Sequence, residues 1–372
     1  MSDGEVGEIV TLIVDGYQLK GWQDVSVDRS QESAEISFTL GATNPSFGPD
    51  AKRLRNAKEI EIRTSPIGRR ARPGGGDLML TGHVGGYGAK YGKKTKQVTV
   101  DGKSKAADAV DCHPVKHKTG RFENKTLLDV AKELDEVRCG FKTDQKLDKI
   151  PKVQRRPDDT IFQTVEREAR RLGLMLSGQP DGSINITRAG SKRHAGALVL
   201  GDSPVEEMDV KIKCDQKFSH YVARGQRSKG VGKDNLRQEE TERDPSVKRN
   251  RPRLIIPEGD WTKKELKKRL RWERLRRASF GTTISIKAST WRDEAGELWE
   301  PGRLMAIVNE EEDIDGDYTL QTANFRQGGE EGTIAYLTFV DPKAAGGKGG
   351  TDKSDAVFDP GGGIDEDGEG EE

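Results

Sequence analysis

Apolar and polar residues alternate with period two through "EIVTLIVDGYQL", "QDVSVDRS", "AEISFTL" and "KEIEIRT", all within residues 8–100. This is the pattern of strands with one buried face. Asp15-Gly16 predicts a tight turn inside the first of them. The segment "LMLTGHVGGYGAKYGKKTKQVTV" returns as strands broken by glycines, which suit the sharp bends of a closed barrel. Short strands at this spacing predict a first β-barrel domain over 1–103.

The period then changes. "NKTLLDVAKELDEV" puts Leu127, Leu128, Ala131 and Leu134 on one helical face. A second helix has Asp158, Asp159 and Thr160 as cap candidates. It runs Ile161, Phe162, Val165, Ala169 and Leu172 down one face and ends at Gly173. A hairpin around Pro180-Asp181-Gly182 follows. Residues 104–200 therefore read as an α/β insert of two helices and a hairpin. Residues 201–342 read as a second β-barrel domain, interrupted by a polar loop at 228–259 and a helix at 261–280. The last segment, 343–372, is glycine-rich and acidic, and is expected to be a disordered tail. The fold class is α+β, mainly β: two barrels, a small α/β insert between them and an acidic C-terminal tail.

Composition fits several small units better than one large globule. Of 372 residues only 32% are hydrophobic, 34% are charged and 44 are glycine, so partners are expected to supply part of the stability. Formal net charge is zero, but "DPGGGIDEDGEGEE" holds seven acids and no base, leaving the rest of the chain basic. Three widely spaced cysteines imply no disulfide framework and a reducing place of synthesis. The start, "MSDGEVGEIV", lacks the apolar core of a signal peptide. No run approaches the roughly 18 apolar residues of a membrane span. A soluble chain made in the cytoplasm is expected.

Four stretches invite a chemical reading. Gly102-Lys103-Ser104 follows a strand, as in a phosphate-binding loop, but that loop needs a glycine where Gln97 stands. Gly102 is better read as part of the turn that ends the strand. Cys112, His113 and His117 have ligand-like spacing, yet structural zinc wants four good ligands, and a strand-to-loop transition is the plainer account. Asp313, Asp315 and Asp317 suggest calcium, but an EF-hand loop would need glycine at Tyr318 and glutamate at Asn324. A surface hairpin turning at Asp315-Gly316 is expected instead. The helix 262–280 carries nine bases and two acids. That suits phosphate contact, but Leu266, Leu270 and Trp272 or Leu275 make an apolar stripe that suits a packed helix with a solvated basic face. No catalytic frame surrounds any of the five histidines. No enzyme, cofactor, catalytic residue or metal site is expected.

The segment 288–342 resembles the C-terminal barrel of the Mu-like phage tail protein family. The resemblance rests on Trp291, on Gly296, Leu298, Trp299, Pro301 and Gly302 of "GELWEPG", and on Asp315-Gly316. "RWERLRRAS", with Trp272, is similar to that family's Arg-Trp-Glu helix. "DGKSKAADAVDC", with Gly102, Lys103, Ser104, Asp108, Val110, Asp111 and Cys112, is similar to its junction between first barrel and insert, and "LTGHVGGY", with Gly82, fits as well. The loop 65–77, the insertion 228–260 and the acidic tail have no counterpart in the pattern. The resemblance implies a baseplate hub of a contractile tail in the virion, with two tube-like barrels per chain. Three chains would form a homotrimeric ring joining a sixfold tail tube to a threefold spike. The implied partners are the chain itself, the spike protein, the tail tube and other baseplate proteins, and DNA passing through the channel without specific binding. The alternatives are a hub or spike of a tail-derived secretion or bacteriocin particle and a nucleic-acid-binding protein using the basic helix 262–280. A cell-wall hydrolase finds no free segment.

Overall fold

A computed structural model describes residues 7–342 apart from 56–57, 68–75, 188–191, 214, 216, 226–237, 258–260, 280 and 330. Cys214, most of the loop 65–77, parts of the loop 228–259 and the acidic tail lie outside the described residues.

The first β unit holds β1 (Glu8–Val14), β2 (Tyr17–Leu19), β3 (Asp24–Ser30), β4 (Ser37–Thr43), β5 (Glu59–Pro66), β6 (Asp77–Tyr91) and β7 (Lys96–Ser104). Its alternation is literal: in β3 the residues Val25, Val27 and Arg29 are buried and those between them are not. The β1–β2 hairpin turns at Asp15 and Gly16, both with positive φ, the left-handed conformation that aspartate and glycine tolerate best.

The insert holds α1 (Ala106–Asp111), β8 (Arg121–Lys125), α2 (Leu127–Leu134), β9 (Phe141–Lys142), β10 (Ile150–Gln154), α3 (Ile161–Leu172), β11 (Met175–Gly178) and β12 (Ile184–Thr187). Thr126 and Thr160 cap α2 and α3 through reciprocal bonds with Asp129 and Gln163. Gly173 closes α3 at φ 69°. Leu127, Val130, Ala131 and Leu134 meet Ile161, Val165 and Ala169 in a core of their own. Each fully buried aliphatic side chain there is worth about 1.5–3 kcal/mol.

The second β unit holds β13 (Arg193–Val199), β14 (Val205–Ile212), β18 (Thr282–Ala288), β19 (Leu304–Asn309), β20 (Ile314–Gly328) and β21 (Gly332–Val340). Between β14 and β18 lies a third module: β15 (His220–Gly225), β16 (Gln238–Arg243), β17 (Pro252–Ile255) and α4 (Lys263–Ser279). The sequence reading has β15 as a strand but takes 228–259, where β16 and β17 lie, as a polar loop before the helix. In the structure β16 and β17 flank β15 in a three-stranded sheet. "QEETER" has no apolar alternation because only Gln238 of β16 is buried.

The protein is mainly β. Both β units belong to one thirteen-stranded sheet, because β20 pairs with β3 (Phe325 opposite Val27). Its ladder runs open from β14 to β2, and those end strands do not pair. The two units share a continuous core, from Val10, Leu12 and Val27 to Trp291, Phe325 and Phe339. β13, inside the segment assigned to the insert, pairs in parallel with β19 of this sheet.

Candidate functional site

The junction of the units is built by the loop between β18 and β19. Asp293 N–H donates to the Glu297 carbonyl at 2.8 Å, and the Asp293 carboxylate accepts from Glu297 N–H at 2.9 Å. Gly296 sits at φ 82°, a conformation glycine adopts without strain. Arg292 and Leu298 bridge across the base of this small lobe. Gly302, at φ 96°, then donates its N–H to the Leu320 carbonyl at 2.8 Å, and Pro301 sits just before it.

Two buried tryptophans hold the lobe. Trp291 Nε1 donates to the carbonyls of Ile334 (2.9 Å) and Arg326 (3.2 Å), and its ring meets Phe325 edge-on. Trp299 Nε1 donates to the Thr290 carbonyl at 2.9 Å. A buried indole needs such a partner, since an orphaned N–H costs about 1–3 kcal/mol.

Arg292 reaches from this lobe into the first β unit. Its Nε and Nη2 donate to the Glu8 carboxylate at 2.5 and 3.2 Å, and Nη1 donates to Asp77 at 2.6 Å and to the Gly296 carbonyl at 2.9 Å. Thr64 Oγ1 donates to Glu8 at 2.6 Å. Burial opposes the Arg292 charge, but the bonds to Glu8 and Asp77 outweigh it and hold the guanidinium's pKa above its usual value. Arg326 adds a bond to Asp28 at 2.6 Å between β20 and β3.

His194, fully inside, donates from Nδ1 to Asp293 at 2.9 Å, while Nε2 lies 3.1 Å from Glu300 N. The carboxylate can only accept, so Nδ1 carries a proton, while Nε2 lies between the Glu300 N–H and, at 3.3 Å, the Glu300 carbonyl. Burial works against the Asp293 carboxylate, but bonds from His194, Glu297 N–H and Ala195 N–H hold its pKa below the aspartate range.

The "GKS" stretch does a different job from phosphate binding. Gly102 lies within β7, opposite Phe38 and Val84, and is not in a turn as expected. A Cβ there would stand 2.1 Å from the His83 carbonyl and 2.8 Å from the Phe38 ring. Gly82 has the same role on β6, where a Cβ would stand 2.1 Å from the Lys103 carbonyl. Ser104 is buried; its Oγ accepts from Ile36 N–H at 3.0 Å, and α1 follows at once. Asp108 and Asp111 lie in α1, with Asp108 3.7 Å from His83. Cys112, just past α1, is exposed, and its carbonyl accepts the Ile161 N–H. His117 stacks on Phe122 and pairs with Glu133 at 3.3 Å. Among the described residues no three His, Cys, Asp or Glu residues are placed to hold a metal ion.

The expected turn at Asp315-Gly316 is displaced. The chain reverses through Glu310–Glu312 and Asp313, which takes φ 51°, so Asp315 and Gly316 already pair with Val308 and Ile307. Asn309 accepts from Glu311 N–H and starts this turn, and Asp317 holds Arg193 with two bonds of 2.5 and 2.8 Å.

The basic helix is α4. Leu266 and Leu270 pack on Tyr221 and Ala223 with Trp261. Glu273 gathers Arg277, Arg269 and Arg253 at 2.8–3.8 Å, and Arg274 pairs with Glu242 at 3.1 Å. Trp272 lies under the Arg269 guanidinium, near Gly173 of the insert. Among its described side chains the exposed bases are Lys263, Lys264, Lys267, Lys268 and Arg271. The sequence reading missed Arg292 and Glu8: each is one charged residue in a run of many, and only their shared burial marks them.

Residues 262–346 match the family model described as the Mu phage baseplate assembly protein GpP, fourth domain. The chain is 28% identical over 310 residues to baseplate hub protein gp44 of Escherichia phage Mu, covering 80% of this chain and 78% of that protein. In fold it is similar to the 43 kDa tail protein of prophage MuSo2 from Shewanella oneidensis, with a TM-score of 0.78, 23% identity and coverage of 91% and 99%. The tail protein of Neisseria meningitidis MC58 matches with a TM-score of 0.76, 20% identity and the same coverage. No helix among the described residues is long and apolar enough to cross a membrane.

Proposed function

We propose, from this kinship with Mu-like phage tail proteins, that the chain is a structural baseplate hub protein of a contractile tail. The observation that carries the reading is the sequence relationship to the phage Mu hub protein over 80% of the chain. The architecture supports it. The β units, fused through β3 and β20 and clamped by Arg292, form one stiff body. A part that transmits force through an assembly needs such stiffness and needs no catalytic centre.

In this reading each β unit stands for one tube-like barrel, and three chains form a ring of six. The ring joins the sixfold tail tube to the threefold spike and leaves a channel through which DNA passes without specific contacts. The proposed domains are 1–103, 104–200, 201–342 and the tail 343–372. The end strands β2 and β14 leave sheet edges available for neighbouring chains. Partners are the chain itself, the spike and other baseplate proteins, and the place is the virion tail after assembly in the host cytoplasm.

The test is solution mass by light scattering across protein concentration. The expected species is a trimer of the 41.1 kDa chain, with a pseudo-sixfold ring in electron micrographs. A chain that stays monomeric alone and when co-expressed with its spike overturns the reading.

A further inference from the structure

The chain's zero net charge conceals a division. Residues 217–279, which hold the module of β15, β16, β17 and α4, carry twenty bases and nine acids, and the rest of the chain is acidic by the same margin. Within α4 the bases are sorted by direction. Those turned toward the protein have acids: Arg269 and Arg277 pair with Glu273, and Arg274 pairs with Glu242. Those turned to solvent, Lys263, Lys264, Lys267, Lys268 and Arg271, pair with no acid among the described residues. Glu265, the acid between them, is engaged elsewhere: it accepts from Thr262 N–H at 2.8 Å, capping the helix, and from Arg171 of the insert at 3.3 Å. At 3.6 residues per turn the five bases cover about 140° of the helix, with Lys263, Lys267 and Arg271 in one row and Lys264 and Lys268 beside it. The longer row runs about 12 Å. Like charges four positions apart weaken a helix, so this face costs stability in the free chain. Leu266 and Leu270, packed on Tyr221 and Ala223, hold it in place.

We propose that this face of α4 binds the phosphate backbone of duplex DNA without sequence preference. Charge complementarity is the ground: a row of unpaired cations meets a polymer that carries one negative charge per about 1.7 Å of its axis. The residue types narrow the partner. Four of the five bases are lysines. Lysine is a point charge that suits phosphates approached at any angle, and it lacks the planar fork with which arginine selects carboxylates. Lysine is also depleted from protein–protein interfaces. A helix lying on a bilayer needs an apolar face beside its basic one, and the leucines of α4 are already buried on its own sheet. Contacts to phosphate set position and carry no sequence information. The inference does not rest on the hub reading, since a monomeric chain presents the same face.

The test is fluorescence anisotropy of a labelled, mixed-sequence duplex of about 20 base pairs, titrated with the full-length chain at salt from about 50 to 200 mM. Affinity is expected to fall with salt along a log–log slope of about −4 to −5, as for five neutralised phosphates, and to be the same for a duplex of unrelated sequence. Lys264→Gln, Lys267→Gln and Lys268→Gln together should weaken binding about tenfold or more and make the slope shallower by about 3. These side chains are exposed, so the fold is expected to survive, which the far-UV circular dichroism spectrum checks. A control chain loses three exposed bases elsewhere, with Lys90→Gln, Lys93→Gln and Lys94→Gln at the β6–β7 tip. Its net charge changes equally, and its slope should match that of the unmodified chain. Absence of duplex binding by the unmodified chain, equal losses in the two triple variants, or tighter binding to polyglutamate or to phosphatidylglycerol vesicles than to duplex overturns the proposal.

Discussion

Arg292 and Glu8 stand 284 positions apart and meet through two hydrogen bonds, at 2.5 and 3.2 Å, inside the seam of the two β units. Arg292→Met strips Glu8 of its partner in a buried place. The expected loss is about 3–5 kcal/mol, the usual effect of leaving one charge of a buried pair uncompensated. Adding Glu8→Gln should recover part of it. Denaturant titration of the four chains of the double-mutant cycle reads the coupling, and strictly additive effects would show that the pair is not a clamp.

Asp293 makes the same region acid-sensitive. Its folded pKa lies below the unfolded value, near 3.9 for an ordinary aspartate. Its stabilisation is thus fully present above that value and is lost as pH falls through the lower folded one. Asp293→Asn should lower stability at neutral pH and flatten the acid limb of the melting-temperature profile. An acid limb identical to that of the unmodified chain would rule this out.

Gly102→Ala drives a methyl against the His83 carbonyl, where a Cβ would stand at 2.1 Å. It should destabilise by about 1–3 kcal/mol or more. Lys103→Ala loses a surface pair with Glu35 at 2.9 Å and should stay under about 1 kcal/mol. A phosphate-binding loop would show the reverse emphasis, with Lys103 decisive for nucleotide binding; thermal shift with and without ATP distinguishes the two.

The described cysteines should differ in reactivity. Burial, with Asp135 alongside, pushes the Cys139 thiol far above its usual range, and Cys139 is buried. Burial and the nearby Asp108 and Asp111 raise Cys112 too, but it is exposed. At pH 8 a thiol reagent should label Cys112 well before Cys139 in the native chain, and peptide mapping would show the order.

Leu270 anchors α4 to the three-stranded sheet. Leu270→Ala should cost about 2–5 kcal/mol, felt in this module first. Amide exchange should rise in His220–Gly225 while the insert helices stay protected. Uniform loss across the chain would show that the module does not open by itself.

The sequence by itself determined the local elements, because their causes are local. Period-two alternation wrote β1, β3 and β4, a threonine cap and a terminal glycine bounded α3, and Asp15-Gly16 set the first hairpin. It also carried the family resemblance through ordered tryptophans, glycines and aspartates. Tertiary structure decided what depends on distant neighbours. β16 is polar throughout because its sheet buries little of it, so no alternation announced it. The turn before β20 fell at Asp313 rather than Asp315-Gly316, because pairing with β19 extends the strand to Ile314. The joining of both β units through β20 and β3, the burial of Arg292 against Glu8 and the burial of Arg29 are all non-local. A charge's worth is set by what surrounds it once the chain has folded, and one-dimensional pattern does not carry that.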